Sequence, residues 1–476
     1  MKRADLNPLL LGLLASTLAA CAIGPDYKRP DAPVAPAYKE AGDWLSANPN
    51  DGAPRGAWWE AFKDPQLNEL EKQVVVSNQT LAQAEAQYRQ ATALLRQTRA
   101  GFLPTVGADA SAQRSGGNTG STTTIGNRYS LSLDAAWELD LWGRVRRSVE
   151  ASRANAKASE ADLASARLST QAQLAQSYLQ LRVTDEQKRL LDETVSGYER
   201  SLQLTQNQYN VGVASKADVA QALTQLKSAQ AQVIATSIQR AQLEHAIAVL
   251  LGKTPAEFSI EPAPLLAVIP PPNPPGVPST LLERRPDIAA AERRMAAANA
   301  QIGVAKAAYF PSLTISASGG YQSSSFADWI SLPNRFWSVG PAAAMTLFDG
   351  GARRAQTDQA VAAYDQNVAA YRQTVLAAFQ EVEDNLVASH LLTEQAQVQG
   401  EAVVAAQESL KIAMNQYKAG TVSYLNVVTA QNAAYNAQSS ALTVLNSQLS
   451  ASVLLIKALG GGWSTDNNSS DSKPGN

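Results

Sequence analysis

One cysteine and two histidines stand in a chain of 476 residues. A Cys/His zinc centre is therefore excluded, and so is a disulfide within the chain. Charge is scarce too: charged residues make up 17%, against roughly 25% in average soluble chains. Neither sign dominates, since 40 basic side chains face 42 acidic ones for a net charge of −2. The electrostatic footprint of a nucleic-acid binder is missing. Aromatics are 6% of the chain although hydrophobics are 45%, and much of that apolar content is alanine. No stretch after the N-terminal segment reaches the roughly 18 uninterrupted apolar residues that a spanning helix needs. A β-barrel escapes that test, because its strands alternate. Enzymatic constellations are also lacking. No GxxxxGK[ST] phosphate loop is present, and His245 and His390 have no adjacent acid–nucleophile pair. Beyond the start the methionines are Met295, Met345 and Met414, too few for a methionine-lined metal path.

The cysteine that is present is informative. Met1-Lys2-Arg3 is followed by an apolar stretch from Leu9 to Ala20 and then by Cys21. A short cationic segment, a short apolar segment and small residues at its end make a secretory signal peptide over 1–20. That apolar stretch is too short to span a bilayer as a helix. Leu18-Ala19-Ala20-Cys21 resembles the bacterial lipoprotein box. The resemblance implies a thioether-linked diacylglycerol and an N-acyl chain on Cys21 and no other cofactor. Several acyl chains in one anchor give stable membrane attachment. Ala22 follows rather than aspartate, which by resemblance to lipoprotein sorting favours the outer membrane.

Pro25, Pro30, Pro33, Pro36, Pro49 and Pro54 mark an extended arm over 21–60. A second cluster from Pro262 to Pro278 marks a linker over 254–280, and the polar end, 463–476, reads as disordered. Between them the chain repeats itself. Gly101-Phe102-Leu103-Pro104-Thr105 matches Ala308-Tyr309-Phe310-Pro311-Ser312, and Gly143 with Arg146-Arg147 matches Gly350 with Arg353-Arg354. Asn207-Gln208-Tyr209-Asn210-Val211-Gly212 matches Asn415-Gln416-Tyr417-Lys418-Ala419-Gly420, and Leu251-Gly252 matches Leu459-Gly460. Four matches in one order at an offset of 207 or 208 amount to an internal duplication, 61–253 and 281–462.

Both halves share one grammar. A helix comes first, over Leu67 to Arg99 and Asp287 to Ala307, stopped by Pro104 and Pro311. Alternation then predicts two β-hairpins, 104–140 and 311–348, of roughly ten-residue strands that match an outer membrane. Their polar loops are Ser115 to Gly126 and Gln322 to Asn334. A glycine next opens a long helix pair, 144–251 and 352–459. Each first member (144–209, 352–417) is on the order of 95 Å at 1.5 Å per residue. Val361, Tyr364, Val368, Tyr371, Val375, Ala378 and Val382 step by 3 and 4, a coiled-coil seam. Gly212 and Gly420 turn each long helix into its return helix. The fold class is mainly α with a membrane β-barrel. Four strands cannot close a barrel, and an open edge in lipid leaves backbone groups unpaired. Strands must therefore be pooled between chains.

With these features the chain resembles the TolC-type outer membrane factors, lipoprotein branch. The carrying motifs are the Cys21 box, Ala57-Trp58-Trp59, Leu282-Glu283-Arg284-Arg285-Pro286-Asp287-Ile288, Ala308-Tyr309-Phe310-Pro311-Ser312 and Leu347-Phe348-Asp349-Gly350-Gly351. The resemblance covers essentially the whole chain. It implies a homotrimer whose strands make one twelve-stranded β-barrel continuous with a periplasmic α-helical barrel, and places the linker in the equatorial region. It implies a passive exit duct for drugs or other small toxic compounds. A periplasmic adaptor and an inner-membrane proton-driven transporter are the partners, together with outer membrane lipid; nucleic acid is not one. Metal-ion efflux is the alternative, and a purely structural envelope lipoprotein is a weaker one.

The resemblance also implies a gate at the periplasmic turns, Gly212 and Gly420. Asp218 matches the family's acid on the first inner turn, and Tyr417 its tyrosine before the second. Asn426 and Thr429 stand where two acids are usual, and Val422 where an arginine is, so the charge network is thinner. Elsewhere, Trp58 and Trp59 are expected to pack the arm against the body, and Pro286 and Asp287 to open a helix. Tyr129, Trp137, Phe326, Trp329, Phe336 and Trp337 are candidates for an aromatic girdle. Glu381, Glu383 and Asp384 read as a solvated face or channel lining.

Cys21→Ser is expected to remain unlipidated and unprocessed by the lipoprotein signal peptidase. Radiolabelled palmitate entering the variant as strongly as the wild type refutes the anchor.

Overall fold

The computed structural model describes residues 23–31, 38–39, 56–119, 122–263 and 285–461. The expected signal peptide, Cys21, most of the arm, Arg284, the linker beyond residue 263 and the tail lie outside the described residues. Helices α1 (Pro65–Ser77) and α2 (Gln79–Ala100) lead into strands β1 (Thr105–Thr119) and β2 (Thr122–Leu139). The long α3 (Arg144–Asn210) and its return α4 (Lys216–Leu250) complete the first repeat. The second reads α5 (Pro286–Ala307), β3 (Ser312–Ser323), β4 (Arg335–Ala344), α6 (Ala352–Lys418) and α7 (Tyr424–Ala458). The chain divides into two compact units. One holds the sheet, the adjoining helix ends and segment 23–31; the other holds the remaining helical parts.

In the sheet unit the strands run antiparallel in the order β1-β2-β3-β4, so the two hairpins lie side by side. Side chains directly opposite each other share a face. Val106 pairs with Ala135, Ala135 with Ala317, and Ala317 with Val339. Leu131, Leu133, Trp137, Leu313 and Ile315 follow on that same apolar face by alternation. The opposite face carries Asp109, Ser132, Asp134, Ser316, Ser318 and Ser338. The expected membrane alternation is thus one continuous two-faced sheet. At Gly320 only glycine fits, because a Cβ there would lie 2.0 Å from the Leu131 carbonyl oxygen.

Two boundaries differ from the sequence reading. The expected loop from Ser115 to Gly126 is largely strand, with Ser115 paired to Gly126 and Gly116 to Ile125. A backbone ladder needs no apolar side chains, so the strands continue where the apolar alternation has already stopped. The second hairpin instead ends early: β4 stops at Ala344, and Met345 and Leu347 are exposed beyond it. Pro341 lies within β4, an edge strand, where a missing N–H is tolerated.

The expected single helix from Leu67 to Arg99 is broken at Asn78, whose backbone is extended. Its side-chain amide donates to the Leu250 carbonyl (2.7 Å), and its carbonyl accepts from the Leu81 N–H (3.0 Å). One residue therefore ends α1, caps α2 and holds the end of α4. Both long helices run 67 residues as expected. Each ends in a left-handed glycine, Gly212 at φ +79° and Gly420 at φ +72°. Gly212 donates to Tyr209 (3.0 Å) and Val213 to Gln208 (2.8 Å); Gly420 and Thr421 repeat the pattern on Tyr417 and Gln416. This is the Schellman closure, which satisfies the last carbonyls and reverses the chain. The α6 seam is buried from Tyr371 through Val375, Ala378 and Val382 to Leu386, while Val361 stays exposed.

The helical unit packs Trp58, Trp59 and Phe62 against Leu67, Leu70, Leu174, Tyr178, Ile247 and Leu251. Asp64 caps α1 through Gln66 (2.8 Å) and Leu67 (3.0 Å) and accepts from the Tyr178 hydroxyl (2.8 Å). Arg182 donates to Tyr178 (3.1 Å), Asp185 (2.9 Å), the Glu261 carbonyl (2.9 Å) and the Gln66 side chain. Arg240 adds Asp185 (2.7 Å) and the Ile260 carbonyl (2.5 Å). The network ties α1, α3 and α4 to the chain entering the linker. Arg285 grips Asp287 with two nitrogens (3.0 and 2.6 Å) and reaches Glu381 (2.7 Å) and the Ala458 carbonyl (3.1 Å). Glu383 accepts from the Lys39 N–H (2.8 Å). Two of the three acids expected on a solvated or channel-lining face thus hold other segments in place, because partners distant in sequence converge on them.

Glu71 is 0% exposed, and neither carboxyl oxygen has a partner. Burial pushes its pKa up to about 9, so it is held protonated. The unfolded chain releases that proton near the ordinary 4.5. Stability is therefore full below that value and falls as pH rises toward the folded pKa. The wild-type melting temperature is expected to drop between pH 5 and pH 8, in part through this group. Glu71→Met is expected to flatten the slope, and an unchanged slope would show that Glu71 is ionised.

Candidate functional site

Two places carry functional geometry, one in each unit. On the apolar face of the sheet Tyr129 meets Phe326 at 5.4 Å and Trp329 at 6.3 Å between ring centroids, and those two rings stack at 5.9 Å. Trp137 lies on the same face and donates its indole N–H to the Phe102 carbonyl (3.0 Å). Eight residues separate Tyr129 from Trp137, on the order of 26 Å along a strand. At the roughly 40° tilt of barrel strands that is about 20 Å of height, most of the apolar band of an outer-membrane barrel, about 25 Å tall between aromatic rows.

Of the six expected girdle residues, Tyr129, Trp137 and Trp337 lie on the apolar face by register, with Phe326 and Trp329 packed on it. Phe336 does not: it pairs with Gly320 and so lies on the polar face. Counting back by twos from Val339 would have assigned Trp337, not Phe336, to the girdle. The foot of the sheet holds aromatics that the sequence reading missed. Trp142 stacks on Phe310 at 4.9 Å and donates to the Pro311 carbonyl (2.7 Å), and Arg353 lies over the Tyr309 ring at 5.5 Å. Their signal was the repeated aromatic–proline motif, read there only as a helix stop.

Asp140 accepts from the N–H groups of Val145 (2.9 Å) and Arg146 (2.8 Å), fixing the start of α3 directly below β2. Asp349 does the same for α6, accepting from Gly351 (3.0 Å) and from the Arg353 N–H (3.3 Å) and side chain (2.5 Å). The polar face therefore continues into the helices through two rigid corners.

The second place is the turn cluster of the helical unit. Tyr417 is buried, donates to the Thr205 hydroxyl (3.1 Å) and lies 5.4 Å from the Tyr424 ring. The Tyr424 hydroxyl pairs with that of Ser201 (3.3 Å). Burial raises both phenols, and nearby Asp218 raises them further, so they stay protonated. Asp218 forms a capping box with Ser215: it accepts from the Ser215 N–H (2.9 Å) and hydroxyl (2.8 Å), and its own N–H donates to that hydroxyl (3.2 Å). Val422 packs half-buried on the tyrosines. Asn426 and Thr429 are exposed, and the Thr429 hydroxyl is bonded to the Leu425 carbonyl (2.9 Å). The structure thus gathers Asp218, Tyr417 and Val422 and leaves Asn426 and Thr429 outside. Tyr424, Thr205 and Ser201, absent from the sequence reading, complete the cluster. Val211, Val213 and Leu425 are exposed at the tips.

Comparison with known proteins gives one consistent result. Residues 70–253 and again 277–461 match the family described as outer membrane efflux protein. The antibiotic efflux pump outer membrane protein ArpC of Pseudomonas putida is 35% identical over 462 residues, 96% of this chain and 95% of that protein. The toluene efflux pump outer membrane protein TtgC of Pseudomonas putida is similar to the same extent. Among solved structures, the outer-membrane channel OprN superposes with a TM-score of 0.86 at 33% identity, covering 93% of this chain and 100% of that one.

Proposed function

The chain belongs to the outer membrane efflux protein family, and on that footing we propose that three copies form a passive exit duct for small toxic organic compounds. It is the outer membrane component of a tripartite efflux system. A periplasmic adaptor and an inner-membrane transporter are its partners in the complete pump. The transporter supplies the work; this chain supplies a polar wall through the outer membrane.

The observation that carries the reading is the four-stranded sheet with one apolar face, one polar face and two open edges. Open edges cannot face lipid, and four strands are too few to close. Pairing β4 of one chain with β1 of the next removes every edge at twelve strands. The apolar faces then meet lipid, and the hydroxyl-rich faces line an aqueous lumen. The anchor on Cys21 fits this placement, because Ile23 donates to the Trp142 carbonyl (3.1 Å) at the sheet's foot.

Closure at rest falls to the turn cluster. Three Asp218 carboxylates around a narrow aperture would attract cations and repel anions. The capping box gives Asp218 a second task, and two variants separate the two. Asp218→Asn keeps an acceptor for the Ser215 N–H and is expected to lower cation preference in planar bilayers without raising resting conductance. Asp218→Ala loses the cap as well and is expected to change both. A cation preference unaffected by either variant would place closure on Val213, Val422 and Leu425.

The duct itself is tested in a strain deleted for this chain. Susceptibility to organic solvents and antibiotics is expected to rise, with rescue only where an adaptor and a transporter are also present. Unchanged susceptibility to every compound exported by the intact pump would overturn the reading.

A further inference from the structure

The two hairpin tips are not alike. The β1–β2 tip, Ser115 to Gly126, is serine, threonine, glycine and asparagine apart from Ile125 and Arg114 just before it. The β3–β4 loop instead carries Phe326, Trp329, Ile330 and Leu332. Phe326 is 67% and Leu332 76% exposed. This loop is built: the Ser325 hydroxyl donates to Asp328 (2.7 Å), and the Asn334 amide donates to the Asp328 carbonyl (2.8 Å) and the Ser331 hydroxyl (3.2 Å). Its rings pack on Tyr129, which lies on the apolar face. The loop is therefore folded outward, onto the membrane side of the sheet, and not across the lumen.

Two guanidinium groups share that outward side. Arg114 follows Ala112 by alternation on β1, and Arg335 pairs with Tyr321 on β4, two positions before Trp337. Both are exposed, and neither has a hydrogen-bond or ion-pair partner among the described residues. The foot of the sheet is different. There Arg144 closes on Glu138 (2.6 Å), Arg146 on Asp140 (3.3 Å), Arg147 on Asp26 (2.9 Å) and Arg353 on Asp349 (2.5 Å). Among the described residues, protein carboxylates neutralise those four cations, and none does so for Arg114 or Arg335.

Arg114 and Arg335 stand on the two edge strands. Closing the barrel brings β4 of one chain beside β1 of the next, so the two arginines flank each subunit seam. Trp337 of β4, opposite Gly319, borders the same strip, and the Phe326–Trp329 stack lies one strand in from β1, on Tyr129 of β2. We infer that each seam, on its outward side at the tip end, is a docking site for a phosphorylated glycolipid of the outer leaflet. Arg114 and the neighbouring chain's Arg335 hold its phosphates. Phe326, Trp329 and Trp337 hold the boundary between its sugars and its acyl chains. Guanidinium matches phosphate in geometry and charge, and aromatic rings settle where apolar chains meet polar headgroups. The inference rests on the trimer proposed above.

The full-length protein in mild detergent, offered bisphosphorylated lipid A or the same lipid stripped of phosphate, tests it by native mass spectrometry. A trimer is expected to retain one phosphorylated lipid per seam and to retain the stripped lipid about tenfold less, the scale of a charge-assisted contact. Arg114→Gln and Arg335→Gln are each expected to erase that preference. Phe326→Ser with Trp329→Ser is expected to weaken retention of both lipids. Equal retention of the two lipids by the wild-type trimer overturns the site without recourse to variants. A wild-type monomer overturns the trimer and the seam together. Arginine variants that lose the trimer show the pair to be a subunit contact and overturn the lipid site.

Discussion

In a bilayer no backbone N–H or C=O can be left without a partner, and most of this chain's design follows from that. The sheet satisfies its interior ladder at every strand but leaves β1 and β4 open. An isolated copy in lipid would pay several kcal/mol for each unpaired group. Solitary insertion is therefore closed to it, and assembly becomes a condition of spanning. Inside the sheet the constraint is steric: at Gly320, β3 and β2 approach too closely for any side chain.

Outside the bilayer the problem changes from unpaired edges to unpaired helix ends. Long helices with small, polar faces gain little from burial along their length, so their termini are fixed individually. Asp140 and Asp349 hold the starts of α3 and α6, left-handed glycines close their ends, and Ser215 with Asp218 opens α4. Arg182 and Arg240 then bind separate segments through ion pairs on the buried Asp185, and Arg285 does so through half-exposed partners. Such pairs add little net stability but penalise wrong packings heavily when one partner is absent. In the helical unit these arginines act beside the apolar core of Trp58, Trp59, Phe62, Leu174, Tyr178 and Ile247.

Periodicity made much of this legible. Alternation in Val106–Ala112 and Tyr129–Leu139 revealed strands because one face meets lipid, and the duplicated glycines located both turns to the residue. What escaped depended on distant partners. Asn78 looks like an ordinary surface residue until the Leu250 carbonyl is beside it. The resemblance to the family points to Tyr417, but its bond to Thr205 joins residues 212 apart in sequence. The tip ends of β1 and β2, 115–119 and 122–126, escape the sequence pattern because hydroxyl-rich strands beyond the lipid carry no apolar signature. The outward fold of the β3–β4 loop was equally hidden, since Phe326 and Trp329 announce an interface without saying on which side of the wall it lies.

The seating of segment 23–31 sets a leash length. Ile23 is bonded to the Trp142 carbonyl, and Arg147 reaches the Gly24 carbonyl (3.3 Å). Gly24 sits so close to Gly303 that a Cβ on it would lie 2.6 Å from the Gly303 Cα. Only Ala22 then separates Cys21 from that fixed point, a reach of about 7 Å when fully extended. The chain preceding Ile23 is thereby led out at the foot of the sheet, at the place where strand gives way to helix.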